Sequence, residues 1–331
     1  MPPQPSRPDA PPASVRSRAH RSLVMTVVGT GVVVAALAVA LAGERDKFAT
    51  ALESAPLLVL IGAAALQLVA LVSRTEAWHV CVRAAGGTMS RRGLFRASAT
   101  GNLGSLLNTN LGAAGRIAML RRTAPDDAPR VGALVTAEVP IVTVEALLAV
   151  LTSFTLVGPL GLPWWLPLIA FGVAALLMTA LGTLAGRHTR GFWRGLAVLR
   201  CVHGRSRLLL FVLIAVGAQI TRNWLMLHAV GVDASLFDAI AVLITMVTLS
   251  QLPLGPSVGA AAVVLILGAN GVAATAAAGV LLTVTGTAGA LAFATWAAAD
   301  VLARRRRPPV ALPLPPLPRP VAFAVPLEER I

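Results

Sequence analysis

Between Leu23 and Leu302 the chain is a succession of long apolar runs separated by short polar stretches. A helix needs about 20 apolar residues to cross a bilayer. Residues 23–42 form the first such run, and 57–73 a second at the short end. Runs 131–157, 165–186 and 208–230 follow. Run 237–270 carries Pro253, Gly255 and Pro256, so it reads as two shorter helices meeting at a turn. Run 271–302 is longer than one crossing requires, and a tilt or break is expected near 285–289. Composition agrees. Of 331 residues 56% are hydrophobic and 13% charged, with a mean hydropathy of +0.78. A soluble domain carries about 25% charged residues, so most of this chain has lipid as its natural solvent.

The net charge of +14 would by itself suit nucleic acid or an anionic membrane. The placement of the cations decides. Four arginines lie in the N-terminal tail, nine in 74–130, six in 187–207 and six from Arg304 onward. The stretches near 158–163 and 231–236 have none, and 43–56 has Arg45 and Lys47. Alternating basic and neutral loops follow the positive-inside rule, with both termini cytoplasmic. The charge is thereby explained without nucleic acid. The expected location is the cytoplasmic membrane.

Cys81 and Cys201 are far apart, and no CxxC or HExxH spacing occurs. Neither a disulfide framework nor a metal site is indicated, and no cofactor. Residues 1–22, rich in Pro and Arg, and the Pro-rich segment 304–331 read as solvated cytoplasmic tails flanking a transmembrane region over 23–303. Residues 40–42 resemble a cleavage site, but the first apolar run is longer than a usual signal-peptide core and reads as an uncleaved anchor.

Two interrupted segments carry more information. In 88–116, Ser90 is an N-cap candidate before Arg91, Arg92 and Arg96. Ser98, Asn102, Ser105 and Thr109 then recur at spacings that place them in one stripe on a helix, which ends in a Gly112–Gly115 turn before Arg116. Such a helix either lies in the interface or dips into the membrane and returns, its stripe lining a polar cavity. The second is the turn of 237–270, entering from the opposite face. Half-crossing elements from both faces are an architecture of transporters. The turn also fits GxSxG with Ser257, but no strand precedes it, so the glycines read better as a close-packing site. The expected fold is thus all-α, with about seven transmembrane helices plus two re-entrant helical hairpins.

Charges inside the apolar runs are costly and need partners. Glu138 and Glu145 lie seven residues apart on one face, with Pro140 between them as an expected kink. Gln219, Arg222 and Asn223 form a polar patch on the fifth run. Depth along the helices pairs Glu145 with Arg222, and Glu138 with Arg116. Trp164 and Trp165 read as outer-interface markers, Trp78 and Trp193 as inner ones.

Three stretches resemble the transmembrane region of the lysylphosphatidylglycerol synthase/flippase family over about residues 60–303. They are Arg96 to Asn108 with Gly112-Ala-Ala-Gly115-Arg116, then Ala137-Glu138, then the turn from Pro253 to Gly259. Val139 stands where the family has an Arg, and Leu111 where it often has Pro. The resemblance is to the membrane region only and implies no lysyl transfer. It implies movement or handling of an amphipathic phospho- or glycolipid. Asn102, Ser105, Asn108, Arg116, Glu138, Glu145, Arg222, Pro253, Gly255 and Gly259 are then candidates to meet the lipid. Arg91, Arg92 and Arg96 would draw its phosphate from the inner leaflet. The alternatives from the residues are a non-transporting scaffold of envelope assembly and, more remotely, an intramembrane serine hydrolase using Ser257. Membrane lipid is the expected partner, with a second copy or an envelope-biosynthesis protein also open.

Overall fold

The computed structural model describes residues 13–107, 109–123, 131–187, 202–250, 258–268 and 271–305. Every regular element among them is helical. In order these are α1 (Ala13–Ala40), α2 (Arg45–Glu53), α3 (Leu57–Ala84), α4 (Arg91–Leu107), α5 (Thr109–Thr123), α6 (Val131–Thr136) and α7 (Val139–Leu151). A short 3-10 turn, Ser153–Leu156, leads into α8 (Val157–Leu160) and α9 (Leu166–Arg187). Then come α10 (Val202–Ala229), α11 (Leu236–Leu249), α12 (Val258–Leu267) and α13 (Val272–Arg305).

Four helical stretches among the described residues are long and apolar enough to cross a membrane: Leu57–Ala84, Val131–Leu151, Gly204–Ala229 and Val272–Ala303. Large apolar side chains cover the exterior, including Val32, Leu58, Ile61, Leu168 and Leu176. A water-facing surface does not carry so continuous an apolar coat. Over its described residues the protein is therefore all-helical and of the multi-pass membrane type.

Several boundaries differ from those read in the sequence. Helix α1 starts at Ala13, inside the segment expected to be a solvated tail. Helix α3 continues past Ser73 to Ala84, because its charged half is buried by neighbouring helices rather than lying in a loop. The kink expected at Pro140 is a one-turn interruption at Ala137–Glu138, where the Glu138 N–H donates to the Val135 carbonyl. Pro140 sits in the first turn of α7, where its missing N–H costs nothing. Helix α13 runs unbroken through 285–289. Its glycines there serve packing: a Cβ on Gly289 would lie 2.6 Å from Gln67 Cγ.

The centre of the bundle is the antiparallel pair α3 and α10. Ser54 Oγ, just before α3, is 3.5 Å from the carbonyl of Ala229 at the end of α10. Gln67 meets Arg222, and Trp78, Cys81 and Val82 pack with Leu208 and Val212. Each of the two helices is followed by a pair of shorter helices that pack together. The α4–α5 pair packs on the C-terminal end of α3, through Leu94, Ala97 and Leu120. The helices α11 and α12 pack on the C-terminal end of α10, through Ala239, Val242, Val263 and Ile266 against Met226, Leu227 and Val230. Because α3 and α10 are antiparallel, the two short helix pairs sit at opposite ends of the bundle.

The α4–α5 pair is held by glycine. A Cβ on Gly112 would lie 2.7 Å from both the Gly101 carbonyl oxygen and Ser105 Cβ, and one on Gly104 would lie 3.1 Å from Gly112 Cα. The glycines read as a turn thus lie within the helices and bring two backbones together. Helix α4 ends at Leu107 and α5 starts at Thr109, and Arg116 lies inside α5 rather than at its end.

Candidate functional site

Two arginine–carboxylate pairs lie where α3, α5 and α7 meet. Arg116 Nη1 donates to Glu138 Oε1 at 2.5 Å, the pairing expected from depth. Its guanidinium also lies 4.9 Å from the ring centroid of Trp78. Trp78, expected at the interface, is fully buried beneath that cation. Arg116 reaches this place because Gly101, Gly104 and Gly112 let α5 lie hard against α4. A Cβ on Gly101 would be 3.0 Å from Arg116 Cβ.

Glu145 does not meet Arg222. Its Oε2 accepts from Arg74 Nη2 at 3.0 Å. Depth along an axis says nothing about which side a helix lies on, and α3 supplies a nearer cation from the part of the helix that the apolar run omitted. Glu138 and Glu145 do share a side of the α6–α7 span, since both meet cations there.

Arg222 instead donates to Gln67 Oε1 across the α3–α10 interface. It is 6% exposed, and its Nε has no hydrogen-bond partner among the described residues. Asn223 beside it is fully buried, with neither side-chain polar atom partnered. Every carboxylate borne by the four long helices is already paired. Glu76 holds Arg91, Glu138 holds Arg116, Glu145 holds Arg74 and Asp300 holds Arg96. Helix α10 itself contains no Asp or Glu. Arg222 is therefore a buried guanidinium with no counter-charge among the described residues.

The remaining candidates separate. Ser90 caps α4, its Oγ accepting from Gly93 N at 3.2 Å. Ser98 is buried and its hydroxyl is unpartnered, whereas Ser105 is exposed and donates to the Asn102 carbonyl at 2.8 Å. Asn102 is half-buried. Asn108, Pro253, Gly255 and Ser257 lie outside the described residues. Gly259 does pack closely: a Cβ there would be 2.8 Å from Thr283 Oγ1 and 3.1 Å from the Gly279 carbonyl oxygen. Of the three arginines expected to draw phosphate, Arg91 and Arg96 are bound to Glu76 and Asp300, while Arg92 is exposed without an ion pair. Gln67, Arg74, Glu76 and Asp300 escaped the sequence reading. Gln67 and Arg74 lie seven residues apart, a helical-face signal hidden by ending the run at Ser73.

No family model, no curated protein and no solved structure matches the chain.

Proposed function

We propose that the protein moves or handles an amphipathic lipid, phospho- or glycolipid, across the cytoplasmic membrane. The observation that carries this reading is Arg222. Ionisable groups at membrane depth are rare, and mark substrate or ion paths. A buried guanidinium with no carboxylate to answer it suits a path for an anionic group. The hairpins support the same reading. At 1.5 Å per residue, α4 and α5 extend about 25 and 22 Å, and α11 and α12 about 21 and 15 Å. Each falls short of a hydrocarbon core about 30 Å thick. In this reading α4–α5 enters from the cytoplasmic side and α11–α12 from the outer side, beside six full crossings, the even number that keeps both termini cytoplasmic. A head group passes between them while its tails remain in lipid. Reconstitution into liposomes with labelled lipids, followed by a translocation assay, tests this directly.

A second reading, a non-transporting scaffold of envelope assembly, draws support from the four closed ion pairs. Charges so matched serve helix packing equally well. The Ser257 hydrolase reading makes a separate forecast: labelling by a fluorophosphonate probe that is lost in Ser257→Ala.

A further inference from the structure

A cavity of about 640 Å³ opens where α3 ends and α4 begins. Its lining includes His79, Arg83, Met89 and Arg91, with the loop from Gly86 to Thr88 between them. The volume falls in the range of small-ligand sites, about 300–1,000 Å³. The lining contains no carboxylate and two arginines.

The site is built rather than incidental. The N–H of Gly86 donates to the Arg83 carbonyl and that of Gly87 to the Val82 carbonyl, each at 3.0 Å. These two bonds, with Gly86 at φ 90°, form a Schellman ending that fixes the loop on α3. Arg91 is anchored from behind. One edge of its guanidinium holds Glu76, and its plane lies 5.6 Å from the Phe95 ring centroid. With its side chain 66% exposed, its remaining N–H groups stay available. His79 Nδ1 lies 3.5 Å from Glu76 Oε2, leaving Nε2 for another partner. Arg83 is exposed and carries no ion pair among the described residues. Glu76 therefore orients two of the three basic groups without entering the cavity.

We propose that this cavity binds a phosphate group, held by Arg83 and Arg91 with His79 as the third donor. Guanidinium groups meet phosphate with paired, charge-assisted hydrogen bonds. The cavity adjoins the end of an apolar helix and includes Met89, which suits a phosphate carried on a lipid; a free phosphate offers the same chemistry. The site stands whether or not the protein translocates lipid, because a scaffold also binds.

The test uses the full chain in micelles of an uncharged detergent. Binding is measured for dihexanoyl phosphatidylglycerol, for dihexanoylglycerol, which lacks the phosphate, and for inorganic phosphate. Saturable binding of the phosphatidylglycerol and none of the dihexanoylglycerol is expected. Arg83→Gln should weaken binding about tenfold, the loss of one charge-assisted contact. Arg83→Lys should retain part of the affinity, and Arg122→Gln, exposed and outside the cavity, all of it. Melting temperatures of these exposed-site variants should match the parent. Inorganic phosphate binding equally tightly, with the same loss in Arg83→Gln, supports the site and identifies free phosphate as its ligand. Equal losses in Arg83→Gln and Arg122→Gln would reduce the effect to diffuse charge and overturn the proposal. So would unchanged affinity in Arg83→Gln, or no saturable binding of any phosphate probe.

Discussion

Arg74 and Glu145 close a 3.0 Å ion pair between α3 and α7, while Arg222 meets only the Gln67 amide and no carboxylate among the described residues. The consequence is an asymmetry between a partly exposed cation and a buried one. Removing Arg74 orphans a charge, whereas removing Arg222 orphans only the neutral amide of Gln67.

The first prediction tests the pair itself. Arg74→Met and Glu145→Leu, taken singly, each strand a partly buried charge and should cost about 1–3 kcal/mol. The double variant should be milder than the sum of the two, as for other buried pairs replaced whole. Thermal or denaturant unfolding in detergent measures the cycle. Plain additivity would mean that the two residues do not interact.

The second concerns Arg222. Its desolvation is not offset by a protein anion, so Arg222→Met should leave the melting temperature unchanged or raise it. Arg116→Met should lower stability by about 3–5 kcal/mol, because Glu138 is then left alone. If Arg222→Met proved the more damaging, a counter-charge must reach Arg222 from a source other than the described helices.

A third prediction turns on the α4–α5 contact. Gly112→Ala places a methyl 2.7 Å from the Gly101 carbonyl oxygen, and both neighbours are held by helix backbone. A loss of about 1–3 kcal/mol is expected from this overpacking. Gly115 has open space around its would-be Cβ, so Gly115→Ala should be neutral or gain up to about 1 kcal/mol from helix propensity. Paired melting curves of the two variants make the comparison.

Topology can be checked independently. Single cysteines at Asp46 and Leu160, both exposed, should react with a membrane-impermeant maleimide applied from outside. Those at Thr88 and Arg122, also exposed, should react only after permeabilisation. Outside labelling at Thr88 would reverse the assigned orientation.

How much of this was legible in the sequence depends on which force shaped each feature. Apolar runs report the helices directly: run 165–186 matches α9 to within a residue at each end, whereas runs 131–157 and 208–230 each miss one end by six residues. The Glu138–Arg116 pair was also accessible, since few cations lie at that depth. Helix α3 was cut short because Arg74 and Glu76 look like a loop until their partners on α7 and α4 are known. Gly112 was read as a turn because a glycine that frees the backbone and a glycine that admits a neighbouring helix are identical in sequence. Trp78 was placed at the interface for a similar reason: only the fold reveals that Arg116 covers its ring. The cavity at Arg83 arises from a loop ending and left no periodic signal.

The central claim, that this bundle carries an amphipathic lipid past Arg222, is tested most directly by lipid translocation. The protein and its Arg222→Met variant would be reconstituted separately into liposomes holding fluorescent phosphatidylglycerol, and the fraction accessible to an external quencher followed over time. The account predicts that the intact protein moves label between leaflets well above protein-free liposomes, and that the folded variant does so at a small fraction of that rate. A parent protein indistinguishable from empty liposomes across phospho- and glycolipid probes, or a variant as fast as the parent, would contradict it.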